Sequence, residues 1–240
     1  MLGKISRKAP ALLFIAVPVL AQDYEAEKER VLTANLRASL NRQTSPYDHP
    51  AAAEYVNRLG TQLIGSGANY TFEIVQTAAF DEPASLPGGH VLIPSHFFVH
   101  AQDASEFAAM VAHAIEHVEQ RHFVARRGWT FVYFPFHTGP VPMGAREQHA
   151  DLERQADGPA LQRLAKAGFD PYALRRYVAR NHPYDTQRAA NLEERLSGMP
   201  GDPVQGADEF QKIRESVRES LPLSRTRPKP TLRRPSEVIP

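Results

Sequence analysis

Residues 104–122 read ASEFAAMVAHAIEHVEQRH and decide the fold. Asp103 followed by Glu106 forms a capping box, which predicts a helix start at this point. An apolar stripe continues from Phe107 through Val118, as one buried helix face requires. We expect this helix to run to about Gly128 and to form the centre of the molecule.

His113 and His117 are four residues apart on this helix, so they lie roughly 40° apart around its axis and can both reach one ion. A neutral imidazole pair on a rigid helix is typical of a zinc site. The spacing is weak evidence alone, since two histidines on a solvated face read the same and the chain has 10 histidines. A third ligand can come from a second long helix, predicted over 145–167, that carries Glu153 and Asp157.

Other segments predict an α+β fold that is mainly helical. Helices are expected over 23–41 and from Pro50 to the glycines after residue 64, with a helix stop at Gly168. Short strands are expected over 70–77 and 90–93, on either side of the Pro87-Gly88-Gly89 turn. The prediction is a small sheet beside a central metal-binding helix.

The ends of the chain predict an exported protein. Residues 1–21 carry basic residues, an apolar run and a cleavage-like end, which is typical of a signal peptide. Residues 22–222 are then one domain, and 223–240 a disordered tail rich in Pro and Arg. We expect a periplasmic or secreted protein with no stable membrane span after signal removal; the alternative is an uncleaved N-terminal membrane anchor.

Composition limits the remaining function classes. The net charge of +1 gives no field that favours nucleic acid. With no cysteine, disulfides and thiolate catalysis are excluded. The aromatic segment 129–136 is expected to cover the core, with a lid over the cleft as the alternative.

Four separated motifs together resemble the HtpX, Oma and BepA class of zinc metallopeptidases. They are Leu86-Pro87-Gly88-Gly89-His90, the helix around His113 and His117 with Arg121-His122, the segment Glu153-Arg154-Gln155-Ala156-Asp157-Gly158, and Asn181-His182-Pro183 with Arg188. The resemblance implies a zincin-like domain with one Zn²⁺ ion held by His113, His117 and Glu153. It also implies that Asp157 orients one ligand and that His182 and Arg188 lie near the metal.

One position departs from the class pattern His-Glu-x-x-His, because this chain has Ala114 where the class has its general base. That glutamate takes a proton from the attacking water, which a methyl group cannot do. Glu116 lies on the opposite flank of the histidine pair, roughly 80° from its bisector, and is the candidate for a displaced base. The competing interpretation is a solvated or arginine-paired carboxylate.

The remaining histidines receive weaker predictions. His90 is placed where it can border the cleft, whereas surface or packing positions are expected for the others, namely His96, His100, His122, His137 and His149.

Three functions remain open on the sequence. The first is an exported zinc metalloendopeptidase acting on polypeptides, impaired by Ala114. The second is an inactive zinc-binding relative that captures extended or unfolded client polypeptides. The third is a metal-free site in which His113 and His117 are only surface residues.

Overall fold

The computed structural model describes residues 27, 30, 31, 33–38, 40–65, 69–122, 143–201 and 206–221, with the backbone alone for 143–148. The predicted signal peptide, the aromatic segment 129–136, His137 and the predicted tail lie outside these residues. The described part is mainly helical with one small sheet, which confirms the α+β prediction.

The sheet has four strands in the order β1-β2-β4-β3. β2 and β4 pair in parallel, while β1 with β2 and β3 with β4 are antiparallel. The strands predicted over 70–77 and 90–93 are confirmed as β2 and β4; β1 and β3 are additional. The bounds are β1 Thr44–Pro46, β2 Thr71–Thr77, β3 Ala84–Leu86 and β4 His90–Pro94.

Two glycines make the turn between β3 and β4 possible. Gly88 and Gly89 have φ of 79° and 83°, in the left-handed region that disfavours other residues. A Cβ on Gly89 would lie 2.5 Å from the carbonyl oxygen of Asn69, whereas one on Gly88 would meet only ordinary contacts. The turn therefore fixes where β3 lies beside the central helix.

The described residues between 27 and 40 are helical, in line with the helix predicted over 23–41. Further helices follow, and none of those described has both the length and the hydropathy to cross a membrane. Their bounds are α1 Pro50–Ile64, α2 Phe97–His100, α3 Ala104–Glu119, α4 Met143–Ala167, α5 Tyr172–Asn181, α6 Thr186–Leu196 and α7 Ala207–Ser220.

The central helix α3 is buried on all sides from Ala104 to His117. Its start is as predicted, since the Asp103 carboxylate accepts a hydrogen bond from the Glu106 N–H at 2.8 Å. Glu106 accepts in turn from the Gln102 N–H at 2.9 Å. A helix buried on every face fixes its polar side chains firmly, which a metal site requires.

The predicted end of this helix near Gly128 is wrong, because α3 ends at Glu119. Arg121 adopts a left-handed φ of 54°, its N–H bonds to the Val118 carbonyl, and the His122 N–H bonds to the His117 carbonyl. These two bonds form a Schellman motif, which terminates a helix. The chain consequently turns back and brings His122 beside His117.

The second long helix, α4, ends as predicted. Gly168 has a φ of 79°, and the same pair of bonds joins Gly168 to Ala165 and Phe169 to Leu164. Small and aliphatic residues of α4 are buried in the same core cluster as α3, namely Ala160, Leu161 and Leu164, and Ala156 is buried as well. This packing sets the distance between the two helices that carry the candidate ligands.

We expect Gly89→Ala to lower the free energy of unfolding by at least about 1 kcal/mol more than Gly88→Ala. Both substitutions place a Cβ at a left-handed φ, but only the Cβ at Gly89 meets backbone. Urea unfolding of both variants measures the difference. Equal losses would contradict the role assigned to the close approach at Asn69.

Candidate metal centre

Three side chains converge between α3 and α4. His113 Nε2 lies 3.0 Å from both His117 Nε2 and Glu153 Oε2, and His117 Nε2 lies 3.4 Å from Glu153 Oε1. One ligand atom from each of the three lies within 4.8 Å of the others. The sequence-predicted ligand set is thus brought together in space.

These distances fit one ion. Ligand atoms about 2.1 Å from a shared ion at tetrahedral angles lie about 3.4 Å from one another, close to the triangle found here. Two imidazole nitrogens and a carboxylate oxygen are also the donor types of catalytic zinc sites. The residues present therefore suit a divalent metal.

Asp157 and Arg188 support this triangle from behind. Asp157 Oδ1 lies 3.0 Å from His113 Nδ1, which leaves His113 Nε2 directed at the other ligands. Arg188 binds Asp157 through two nitrogens, at 2.8 and 2.7 Å, and contacts Glu153 Oε2 at 3.0 Å. Arg188 and Asp157 are both buried, so their contacts are shielded from solvent.

Burial and neighbouring charges shift the pKa values of this cluster in opposite directions. Burial lowers the pKa of His113, but the carboxylates of Glu153 and Asp157 outweigh it and raise the pKa to about 9. Burial would raise the pKa of Glu153, yet the two histidines hold it well below its usual value. For His117, burial dominates and lowers the pKa. The cluster thus keeps Glu153 ionised and strongly attracts positive charge.

His122 contacts His117 from the far side, with 2.9 Å between the two Nδ1 atoms. If His117 Nδ1 donates its proton to His122 Nδ1, His117 Nε2 keeps its lone pair and is free to bind a metal ion. Expected at a surface or packing position, His122 is buried against a candidate ligand. In an uninterrupted helix it would have lain roughly 140° from His117, and for this reason the sequence did not reveal the contact.

The triangle opens into a cleft of about 520 Å³. His182 and Arg188 both line the cleft, as do the three candidate ligands. His182 and Arg188 were expected from the sequence to lie near the metal. His149, half-exposed, lines it too, with its Nδ1 3.7 Å from Glu153 Oε1.

Ala84 and Ser85 of β3 form part of the wall of the cleft. His90, at the start of β4, is not among the described residues that line the cleft.

Glu82 is a further carboxylate in this cleft, and the sequence analysis did not single it out. It lies just before β3, and its Oε1 accepts hydrogen bonds from His182 Nε2 at 2.7 Å and Tyr177 OH at 3.0 Å. The available signal was the acidic pair Asp81-Glu82, which is separated from Pro87-Gly88-Gly89 by four residues.

Glu116, the candidate displaced base, is bound elsewhere. Its carboxylate contacts Arg163 of α4 at 2.6 to 2.7 Å, and Arg163 also donates to the Leu63 carbonyl. Glu116 does not appear among the described residues that line the cleft. The arginine-paired arrangement is therefore the one present, because α4 supplies a cation on that flank of α3.

Ala114 is 1% exposed and packs into the core beside the histidine pair. The cleft consequently has no carboxylate at the position where the metallopeptidase class carries its base.

The chain is similar to several curated proteins named for protease activity. A Vibrio cholerae protein provisionally named as a beta-barrel assembly-enhancing protease is 30% identical over 196 residues, which cover 63% of this chain and 40% of that protein. Beta-barrel assembly-enhancing proteases of Yersinia pestis and Escherichia coli are 24% and 26% identical, over 68% and 67% of this chain. No family model matches the chain.

The chain spans about 40% of the length of these relatives, with 40%, 43% and 42% of each covered. The similarity supports a relation to the assembly-enhancing proteases. It agrees with the resemblance to BepA carried by the four motifs.

We expect the affinity for zinc to rise about tenfold per pH unit between about pH 7 and 8.5, because the metal must displace the proton that the raised pKa keeps on His113. Competition with a chromophoric chelator across this range measures the slope. An affinity independent of pH would contradict the charge state assigned to His113.

Asp157→Asn is expected to weaken zinc binding about 10- to 100-fold, because the amide holds His113 Nδ1 less strongly than the carboxylate does. Asp151→Asn, on the same helix but paired with Arg154 at the surface, is the matched control. If the two variants bind zinc with equal affinity, Asp157 has no role in holding the metal ligands.

Proposed function

We propose that this chain is a zinc-dependent peptide hydrolase of the HtpX, Oma and BepA class, with a zincin-like domain acting on polypeptides. The observation that carries the proposal is the triangle of His113, His117 and Glu153 at the floor of an open cleft. A structural zinc site is closed by four protein ligands, whereas three ligands beside a cleft leave room for water. The relatives named as proteases support the same class.

Each residue of the centre has a distinct part in the proposal. His113, His117 and Glu153 hold Zn²⁺, which when bound acts as a Lewis acid and lowers the pKa of water. Asp157 fixes the orientation of His113, and Arg188 pairs with the carboxylates of both Glu153 and Asp157. Glu116 is assigned no proton transfer, since Arg163 holds it.

The polypeptide is proposed to bind along β3. This strand pairs with β4 on one side, and its residues Ala84 and Ser85 face the cleft. An extended peptide can add to such an edge through main-chain hydrogen bonds, which recognise backbone more than sequence. Unfolded or extended segments are accordingly the proposed substrates.

The second candidate function is an inactive zinc-binding protein that captures extended polypeptides. The observation that favours it is Ala114, since loss of general-base catalysis typically lowers the rate by roughly 10²–10⁴-fold. The same centre and strand edge would then bind clients without cleaving them.

Location in the periplasm or outside the cell is also proposed, from the signal-like residues 1–21. Retention of that segment as a membrane anchor is the alternative.

The zinc-loaded natural chain is expected to cleave unfolded casein, and a chelator is expected to abolish the cleavage. His117→Ala should lose both zinc and activity, because the two ligands that remain, His113 and Glu153, are too few to hold the ion. Zinc content is measured on the same samples by elemental analysis. A full complement of zinc without cleavage at high protein concentration would favour the inactive binder, and absence of zinc would reject both functions.

If no other group in the cleft accepts the proton, Ala114→Glu is expected to raise the rate of cleavage by up to roughly 10²–10⁴-fold, because it restores a carboxylate on the helix flank used by the class. If another carboxylate of the cleft already accepts it, the gain is expected to be small. Ala114 is buried, so thermal unfolding must show that the variant is folded before its rate is interpreted. A folded, zinc-loaded variant with no gain would show that the cleft lacks more than this side chain or has another base.

A further inference from the structure

The cleft contains a carboxylate that the class pattern does not account for. Glu82 lines the same cleft as the three candidate ligands but comes from the loop before β3, and not from the helix that carries Ala114. The charge of Glu153 raises the pKa of Glu82, and the charges of Glu82 and Glu153 raise the pKa of Arg188, so the three groups lie within electrostatic reach.

Glu82 is held in a defined orientation. Its two donors are Tyr177 OH, from α5, and His182 Nε2, from the residue directly after α5, and both bond to the same atom, Oε1. Oε2 accepts no hydrogen bond from the residues that the structure describes. One oxygen is therefore fixed, while the other remains for water or substrate.

The side chain is neither sealed in nor freely solvated. Glu82 is 31% exposed and His182 36% exposed, so water reaches the pair while the protein still restrains it. A proton acceptor needs such a position, because it must exchange protons and yet keep its geometry.

We propose that Glu82 is the general base of this cleft and that His182 and Tyr177 position it, in place of the glutamate absent at position 114. This inference rests on the proposed peptide hydrolase function and assigns the proton transfer within it.

The reaction balances with this residue. As the water oxygen bonds to the peptide carbonyl carbon, one water proton passes to Oε2 of Glu82. Glu82 then returns that proton to the amide nitrogen as the carbon–nitrogen bond breaks, which yields a carboxylic acid and an amine. The second water proton passes from the acid to the amine, so the final products are a carboxylate and an ammonium group. No oxidant, reductant or further reactant is needed.

The charge states of Glu82 and His182 suit the role of general base proposed for Glu82. Burial would raise the pKa of Glu82, but the hydrogen bonds from His182 and Tyr177 bring it below its usual value. The same bond raises the pKa of His182 against the effect of burial. Glu153, Arg188 and Tyr177 also face the pair, and the carboxylate of Asp185 lines the cleft nearby. At neutral pH Glu82 is ionised and able to accept a proton.

The test compares Glu82→Gln with Glu73→Gln in the full-length chain. Glu73 is a matched control, because it is 36% exposed and paired with Arg37 on β2, at a position that does not line the cleft. Glu82→Asp, which keeps the carboxylate, guards against a loss caused only by misfolding. Casein cleavage, zinc content and the pKa of His182 by NMR are measured on each protein.

We expect Glu82→Gln to keep about one zinc per chain and to lower kcat roughly 10²–10⁴-fold, with KM changed less than about twofold. The pKa of His182 should fall in this variant and stay unchanged in Glu73→Gln. Glu82→Asp should be more active than Glu82→Gln.

Three results would overturn the proposal, and each is distinct. If the Glu82→Gln variant cleaves as fast as the natural chain, Glu82 is not the general base, and the proposed hydrolase function is unaffected. Loss of zinc together with activity shows that Glu82 supports the metal centre rather than proton transfer. A zinc-loaded natural chain with no cleavage overturns the hydrolase function, and the base with it.

Discussion

The structure depends on two carboxylates that need positive charge around them. That of Asp157 is buried, and that of Glu153 is 13% exposed. An unpaired buried charge costs several kcal/mol, whereas one that is paired and hydrogen-bonded is tolerated. Arg188 supplies one positive charge to two carboxylates. The remaining negative charge must be met by a proton on His113 or by a cation between His113, His117 and Glu153.

This constraint explains the placement of several elements. α4 must lie close along α3 to bring Glu153 to the histidines, and its small residues permit that approach. α6 must return over α4 so that Arg188 reaches both carboxylates. The Schellman motif after Glu119 turns the chain back and places His122 on His117. Together these contacts fix the ligand atoms before any ion binds, which favours tight and selective binding.

Local patterns in the sequence predicted much of the fold and the ligand set. The Asp103 and Glu106 capping box, the His113 and His117 spacing and the glycine at 168 depend on neighbours a few residues away, and they could be recognised directly. The end of α3 could not, because Arg121 adopts a left-handed conformation that usually falls to glycine.

Side-chain partners that lie far apart along the chain could not be recognised from the sequence either. Arg163 lies 47 residues from Glu116 along the chain, and His182 lies 100 residues from Glu82, so only the folded structure shows which carboxylate is neutralised and which faces the cleft.

The protein thus combines three side chains that are placed to hold a metal ion with an alanine at position 114. The helix carries no carboxylate at position 114, and Glu82 lines the cleft from the loop before β3. The placement of the ligands on two rigid, packed helices is the feature on which any function of the cleft depends.

The most direct test of this account is a crystal structure of the zinc-soaked protein with anomalous diffraction recorded on both sides of the zinc absorption edge. The account predicts one strong anomalous peak about 2.0 to 2.2 Å from His113 Nε2, His117 Nε2 and a carboxylate oxygen of Glu153. A map with no peak between these side chains, or with zinc bound only elsewhere, would contradict it.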